Sequence, residues 1–102
     1  MGDEVLHLLR CVGKGDVFPV LIDLPSAIEI GLVSFGVADW TVRIFFDVGA
    51  FDYVDRAISP NGQAIEFGER PENSPDNALQ LESSSLYAAM VNAFESATQQ
   101  QL

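Results

Sequence analysis

The stretch that most restricts the fold of this chain is Trp40–Asp47. Trp40, Val42, Ile44 and Phe46 fall on one side of a period-two pattern and Thr41, Arg43, Phe45 and Asp47 on the other, as in a strand with one buried face. Val48-Gly49-Ala50 follows as a turn, and Phe51–Ser59 returns as a second strand. A hairpin centred on Gly49 sets Arg43 against Asp55, Ile44 against Val54 and Phe45 against Tyr53, cross-strand pairs worth about 0.2–1 kcal/mol each. A register one residue away would set Arg43 against Arg56, and like charges facing each other disfavour it. Ser59-Pro60-Asn61-Gly62 is a second turn, with Pro at its favoured position and Gly available for the left-handed one. Gln63–Phe67 then completes a three-stranded meander over 40–67.

The flanks supply the rest of an α+β domain. Val5, Leu8, Leu9 and Val12 recur at helical spacing, so a first helix is expected over 3–13. Asp3 and Glu4 lie where negative charge suits its start, Arg10 and Lys14 lie near its end, and Gly13 and Gly15 supply the stop. Val17–Ile22 reads as a short strand, placed at a sheet edge because Pro19 has no amide donor. Ala27–Phe35 reads as another strand, with Ile28, Ile30 and Leu32 alternating against Glu29, Gly31 and Val33, and with Gly31 and Gly36 marking a bulge and a turn. An acidic loop over 68–76 leads to Ser74, an N-cap with Pro75 at N1, and to a short helical turn over Asp76–Glu82. A serine among Ser83, Ser84 and Ser85 caps a longer helix to about Gln99, whose apolar stripe is Leu86, Met90 (with Tyr87 beside it), Ala93, Phe94 and Ala97. Residues 99–102 form a frayed tail. The expected order is α-β-β-β-β-β-α, an antiparallel sheet of four to five strands packed by an N-terminal and a C-terminal helix in one domain, 1–102.

Composition then bounds the function. The chain has 102 residues, 48% of them hydrophobic, with 15 acidic against 5 basic side chains and a formal net charge of −10. That field opposes direct binding to nucleic acid or to an anionic membrane and favours a basic partner. The longest apolar run, Val17–Ile22, is too short to span a bilayer. A lone Cys11 and an acidic rather than basic start point to a cytoplasmic setting.

The central residues carry a resemblance. Trp40, Ile44-Phe45-Phe46-Asp47, Phe51-Asp52-Tyr53-Val54-Asp55, Pro60-Asn61-Gly62 and Glu66-Phe67 resemble a family of small uncharacterised bacterial proteins with a W-x-x-x-[IL]-F-[NF]-D core, a D-Y-x-D motif and a P-[DN]-G turn. Leu8-Leu9-Arg10 and Ser74-Pro75-Asp76 extend the likeness weakly into the flanks. The chain departs from it at Phe46, where the family favours Asn, at Asn61, where it favours Asp, and at Gln63, where it favours Arg. The resemblance implies a fold and a bacterial or phage origin, and it implies no activity.

Few constellations point to chemistry. Asp47, Asp52 and Asp55 surround one hairpin and could hold a hard cation or serve as an acid–base pair. Strand alternation puts Asp52 and Asp55 on opposite faces, however, and gives Asp55 a structural partner in Arg43. His7 and Cys11 share a helix face without a third member for a nucleophilic site, and they are too few to bind zinc. Gly13-Lys14-Gly15 lacks the spacing of a phosphate loop. No catalytic residue, metal site or cofactor follows, and an enzyme is not expected.

The acidic surface is the feature left. Glu66, Glu69, Glu72, Asp76 and Glu82 lie close together in sequence, with Asp47 and Asp52 as a second patch. Carboxylates spread over a rigid scaffold can occupy a Lys/Arg groove made for nucleic acid, although acidic charge also simply keeps an apolar-rich chain soluble. The expectation is a non-enzymatic inhibitor of a basic, nucleic-acid-binding protein, of the anti-CRISPR-like or immunity-like kind. The alternatives are a small regulatory domain holding a ligand or metal near Trp40 and Tyr53, and a homodimer or larger structural oligomer using Phe45 and Phe51.

Overall fold

A computed structural model describes residues 2–23, 30–68 and 71–99. The elements are α1 (Gly2–Lys14), β1 (Val20–Asp23), β2 (Ile30–Val37), β3 (Trp40–Asp47), β4 (Ala50–Ile58), β5 (Ala64–Glu66), a 3-10 turn (Pro71–Asn73), α2 (Pro75–Glu82) and α3 (Ser84–Gln99). The strands form one antiparallel sheet in sequence order, β1-β2-β3-β4-β5. Each strand therefore pairs with its chain neighbour, as short connections favour. The α+β class and the antiparallel meander are as the sequence predicts.

The helices cover one face of the sheet. Val33, Phe35 and Val37 of β2, Val42, Ile44 and Phe46 of β3, and Val54 of β4 meet Leu8, Leu9 and Val12 of α1, Leu79 of α2, and Met90, Phe94 and Ala97 of α3 in one core. The spacings read for α1, β3 and α3 thus face inward as expected. Strand β2 differs, because its buried residues are Val33, Phe35 and Val37 while Leu32 is exposed. It also runs later than expected, to Val37, so that Gly36 lies inside the strand opposite Thr41 rather than in a turn. The expected start at Ala27 falls outside the described residues, as do residues 100–102 of the tail.

Local chemistry explains the element ends. Gly15 adopts φ +81, and the amides of Gly15 and Asp16 donate to the carbonyls of Val12 and Cys11, the paired bonds that close a helix on a left-handed glycine. Gly13 has a different role from the stop assigned to it: it lies within α1, where a Cβ would stand 2.7 Å from the Leu86 carbonyl oxygen. Glycine there lets α1 and α3 approach closely. Pro19 precedes β1 instead of lying in it, and β1 is an edge strand. The Ser59 carbonyl accepts from Gly62, which sits at φ +87, closing the second turn as read. Ser83 is the serine that caps α3, its Oγ accepting from the Leu86 amide at 3.3 Å.

The β3–β4 register departs from the expected one at two bulges. Ile44 faces Val54 and Phe45 faces Tyr53, as read, but Arg43 faces Arg56 and Phe46 faces Phe51. Asp55 and Asp52 are the extra residues of β4 at these two shifts. Among the described residues, no helix is long and apolar enough to cross a membrane.

Candidate functional site

The acids read from the sequence divide into structural and exposed groups. Strand β5 pairs only with residues 56–58 of β4, so the same edge of β4 before them needs other partners for its backbone. Side chains provide them. Asp76 Oδ1 accepts the Val54 amide at 2.9 Å, Ser74 Oγ donates to the Val54 carbonyl at 2.8 Å, and Glu95 Oε2 accepts the Phe51 amide at 3.0 Å. The start of α2 thus clamps both backbone groups of Val54. Ser74 occupies the N-cap position but makes no side-chain cap bond, its hydroxyl being spent on β4.

This clamp removes Asp76 from the exposed acids. Asp76 is only 3% exposed, and burial pushes its carboxyl up to about 6 against the opposing pull of backbone hydrogen bonds, with the charge of Asp52 adding to the rise. Asp52 is raised by burial and by Asp47. Tyr87, whose ring meets Phe51 edge-on, is raised by burial and then by Asp76, Asp52 and Glu95. The fold therefore gathers Asp52, Asp76 and Glu95 around Tyr87 along the seam of β4 with α2 and α3, with the exposed Asp47 near Asp52. Glu95 was not among the candidates; nothing local marks it, since its partner lies 44 residues away.

The other acids have varied surroundings. Glu82 receives two bonds from Arg10, at 2.7 and 2.6 Å, which tie α2 to α1 and hold the Glu82 carboxyl below its ordinary value. Glu66 is exposed and stands 3.9 Å from Arg56 Nε. Glu72 is exposed on the turn before α2, Asp47 is exposed at the end of β3, and Glu69 lies outside the described residues. Asp55 accepts Arg43 Nε at 3.0 Å and Nη2 at 2.8 Å, the structural pairing expected of it. His7 Nε2 lies 3.7 Å from Cys11 Sγ on the outside of α1. Among the described residues, no three His, Cys, Asp or Glu side chains converge as a metal site would require.

Beside Glu72 runs a groove of about 350 Å³ between α1 and α2. Leu6, Phe67, Pro75, Ala78 and Leu81 supply apolar lining, and Asp3 and Glu72 supply carboxylates. Leu81 is 83% exposed there. An apolar channel with acidic edges can take a segment that alternates apolar and basic side chains.

The family match is to a domain of unknown function, DUF7693, over residues 2–96. The chain belongs to the DUF7693 family. The match spans α1 to α3, so the clamp on Val54, the acidic seam and the α1/α2 groove all lie within the DUF7693 region. No curated protein and no solved structure matches the chain significantly. Phe46, where the resemblance favours Asn, is fully buried between Phe35 and Phe51 in this DUF7693 member.

Proposed function

We propose that this chain is a non-enzymatic acidic binding protein that inhibits a basic, nucleic-acid-binding partner by occupying its Lys/Arg surface, in the manner of anti-CRISPR-like or immunity-like proteins. One observation carries the reading. Of the four described Lys and Arg side chains, Arg10, Arg43 and Arg56 face Glu82, Asp55 and Glu66, whereas no described ion pair joins the exposed Glu4, Asp16, Asp39, Asp47 or Glu72. Among the described residues, Arg10 and Arg43 are thus neutralised by hydrogen-bonded carboxylates and Arg56 lies near a third, which leaves a surplus of carboxylates facing outward. The groove beside Glu72 gives that charge an apolar floor, which solubility alone does not require.

The test uses immobilised chain to capture binding proteins from a bacterial lysate. The expected partner is basic, elutes as salt rises, and is displaced by competing duplex DNA or RNA. Charge reversal by Glu72→Lys, combined with Glu69→Lys, should weaken capture and flatten its salt dependence. Binding that ignores both salt and nucleic acid would refute the reading.

A second reading, self-association, has its own support. Phe18 is 75% exposed, Val20 62% and Ile22 58%, all at or beside the edge strand β1. Sedimentation over a range of concentrations separates an oligomer from a monomeric inhibitor.

A further inference from the structure

A second region of the surface combines charge with an aromatic ring. Trp40, the single tryptophan, packs partly against the core and lines two grooves with the rest of its surface. One, of about 450 Å³, runs from Glu4 past Trp40 to Ser59, Asn61, Gln63 and Ile65 on the second turn and β5. The other, of about 360 Å³, runs over Trp40 between Asp3, Glu4, His7 and Leu8 of α1. Glu4 and Trp40 are common to both, and no Lys or Arg lines either.

We propose that this surface is the anchor site for an arginine side chain of a protein partner. The proposal rests on the reading of a basic partner given above and adds the point at which one of its cations is held. An indole face attracts a cation laid over it, and the Glu4 carboxylate supplies the opposite charge at its border. The other lining groups select among cations. Gln63 offers an amide oxygen to N–H donors, and Asn61 Oδ1, which already accepts the Ser59 hydroxyl, keeps a second lone pair. A quaternary ammonium has no such donors and is recognised by several Phe, Tyr or Trp rings together, whereas the described lining has Trp40 alone of these, with the His7 imidazole beside it in one groove. A guanidinium stacks on an indole through its flat face while its edge donates to a carboxylate and to amide oxygens. Asp3 links this surface to the α1/α2 groove, which it also lines, so one basic segment could engage both sides of α1.

The indole Nε1–H of Trp40 gives a single NMR signal, which suits a weak site. The probe is N-acetylargininamide, titrated into the folded protein, with N-acetylcitrullinamide as the neutral analogue of nearly the same shape. The expected result is a saturable shift of the indole signal with the arginine probe and an affinity for the citrulline probe lower by about tenfold. Glu4→Gln, an exposed change in the first turn of α1, should weaken the arginine effect at least about threefold, with an unchanged spectrum elsewhere showing that the fold is intact. Glu72→Gln should leave the indole response unaltered. Shifts confined to residues around Glu72 and Phe67 would overturn the Trp40 site while leaving the wider function standing. No saturable indole shift, or equal response to citrulline, would also overturn it, and capture of a nucleic-acid-displaceable basic partner would then show that only the anchor was misplaced.

Discussion

Arg43 stands directly opposite Arg56 in the β3–β4 ladder, the pairing that like charge should forbid. The bulge resolves the conflict. By inserting Asp55 beside the pair, β4 places a carboxylate oxygen within 3.0 Å of Arg43 Nε and 2.8 Å of Nη2, while Arg56 Nε stands 3.9 Å from Glu66, too far for a hydrogen bond. Asp55→Ala should therefore destabilise the fold by about 1–3 kcal/mol, the range for a lost charge-assisted bond that leaves a partly buried partner unpaired. Urea unfolding measures this as a lower midpoint with an unchanged slope. Restoring much of that loss with Arg43→Met in the same chain would confirm that the unpaired guanidinium is the cause.

Asp76 predicts an acid-side gain in stability. Its carboxyl is raised from an ordinary 3.8 to about 6, so the folded state holds the proton more tightly than the unfolded chain. That preference favours folding fully below the unfolded value and is lost as pH rises through about 6. It corresponds to about 3 kcal/mol at most between the two limits. The raised Asp52 acts in the same direction. Thermal unfolding from pH 4 to 7 should show this slope, and Asp76→Asn, which keeps an oxygen for the Val54 amide, should flatten it. Asp76→Ala should instead cost about 1–3 kcal/mol across the range by leaving the buried amide unpaired. An identical pH profile for wild type and Asp76→Asn would rule the account out.

The elements most readable in the sequence are those whose signals are local. Trp40–Asp47 alternates, Val5-Leu8-Leu9-Val12 recurs with helical spacing, and Ser59-Pro60-Asn61-Gly62 carries its own turn chemistry; all three fold as read. Strand β2 misled because Ile30–Val37 is apolar at odd and even positions alike, so periodicity could not choose its buried face. The bulges were invisible for a related reason: an inserted residue is defined by the partner strand, and Asp52 and Asp55 look like ordinary strand carboxylates until Phe46 and Arg43 are set against them. The acidic seam depends on contacts of still longer range. Asp76 was legible as an acid near a helix start, yet its burial follows from a β5 too short to cover Val54.

Gly13 tests the packing of α1 on α3. Alanine is the better helix former by about 1 kcal/mol, so on propensity alone Gly13→Ala would stabilise α1. The added Cβ would meet the Leu86 carbonyl oxygen at 2.7 Å and Leu86 Cδ1 at 2.8 Å, and the first of these is backbone that cannot rotate away. Overpacking should win, with a net loss of about 1–2 kcal/mol. Gly13→Ala with Leu86→Ala would relieve only the side-chain clash and should remain less stable than Leu86→Ala alone. Calorimetry on the three variants reads the difference, and a stabilised Gly13→Ala would show that the helices separate easily.

Val48 should respond in the opposite sense. Asp47 pairs with Ala50, so the first hairpin turns on two residues, Val48 and Gly49, rather than on the three read from the sequence. Both take positive φ, +53 and +74, as the tight turns that match strand twist require. Glycine is at ease there; a β-branched valine is not, and such a position stores about 1–3 kcal/mol of strain. Nothing in packing offsets it, because Val48 is 78% exposed. Val48→Asn places at the first turn position the residue that tolerates a left-handed backbone, followed by the native Gly49. It should raise stability by about 0.5–1.5 kcal/mol and leave the Trp40 and Glu72 surfaces unaltered. Denaturant unfolding at neutral pH checks the gain. A loss instead would mean that the Val48 side chain makes a contact at this hairpin tip that outweighs its backbone strain.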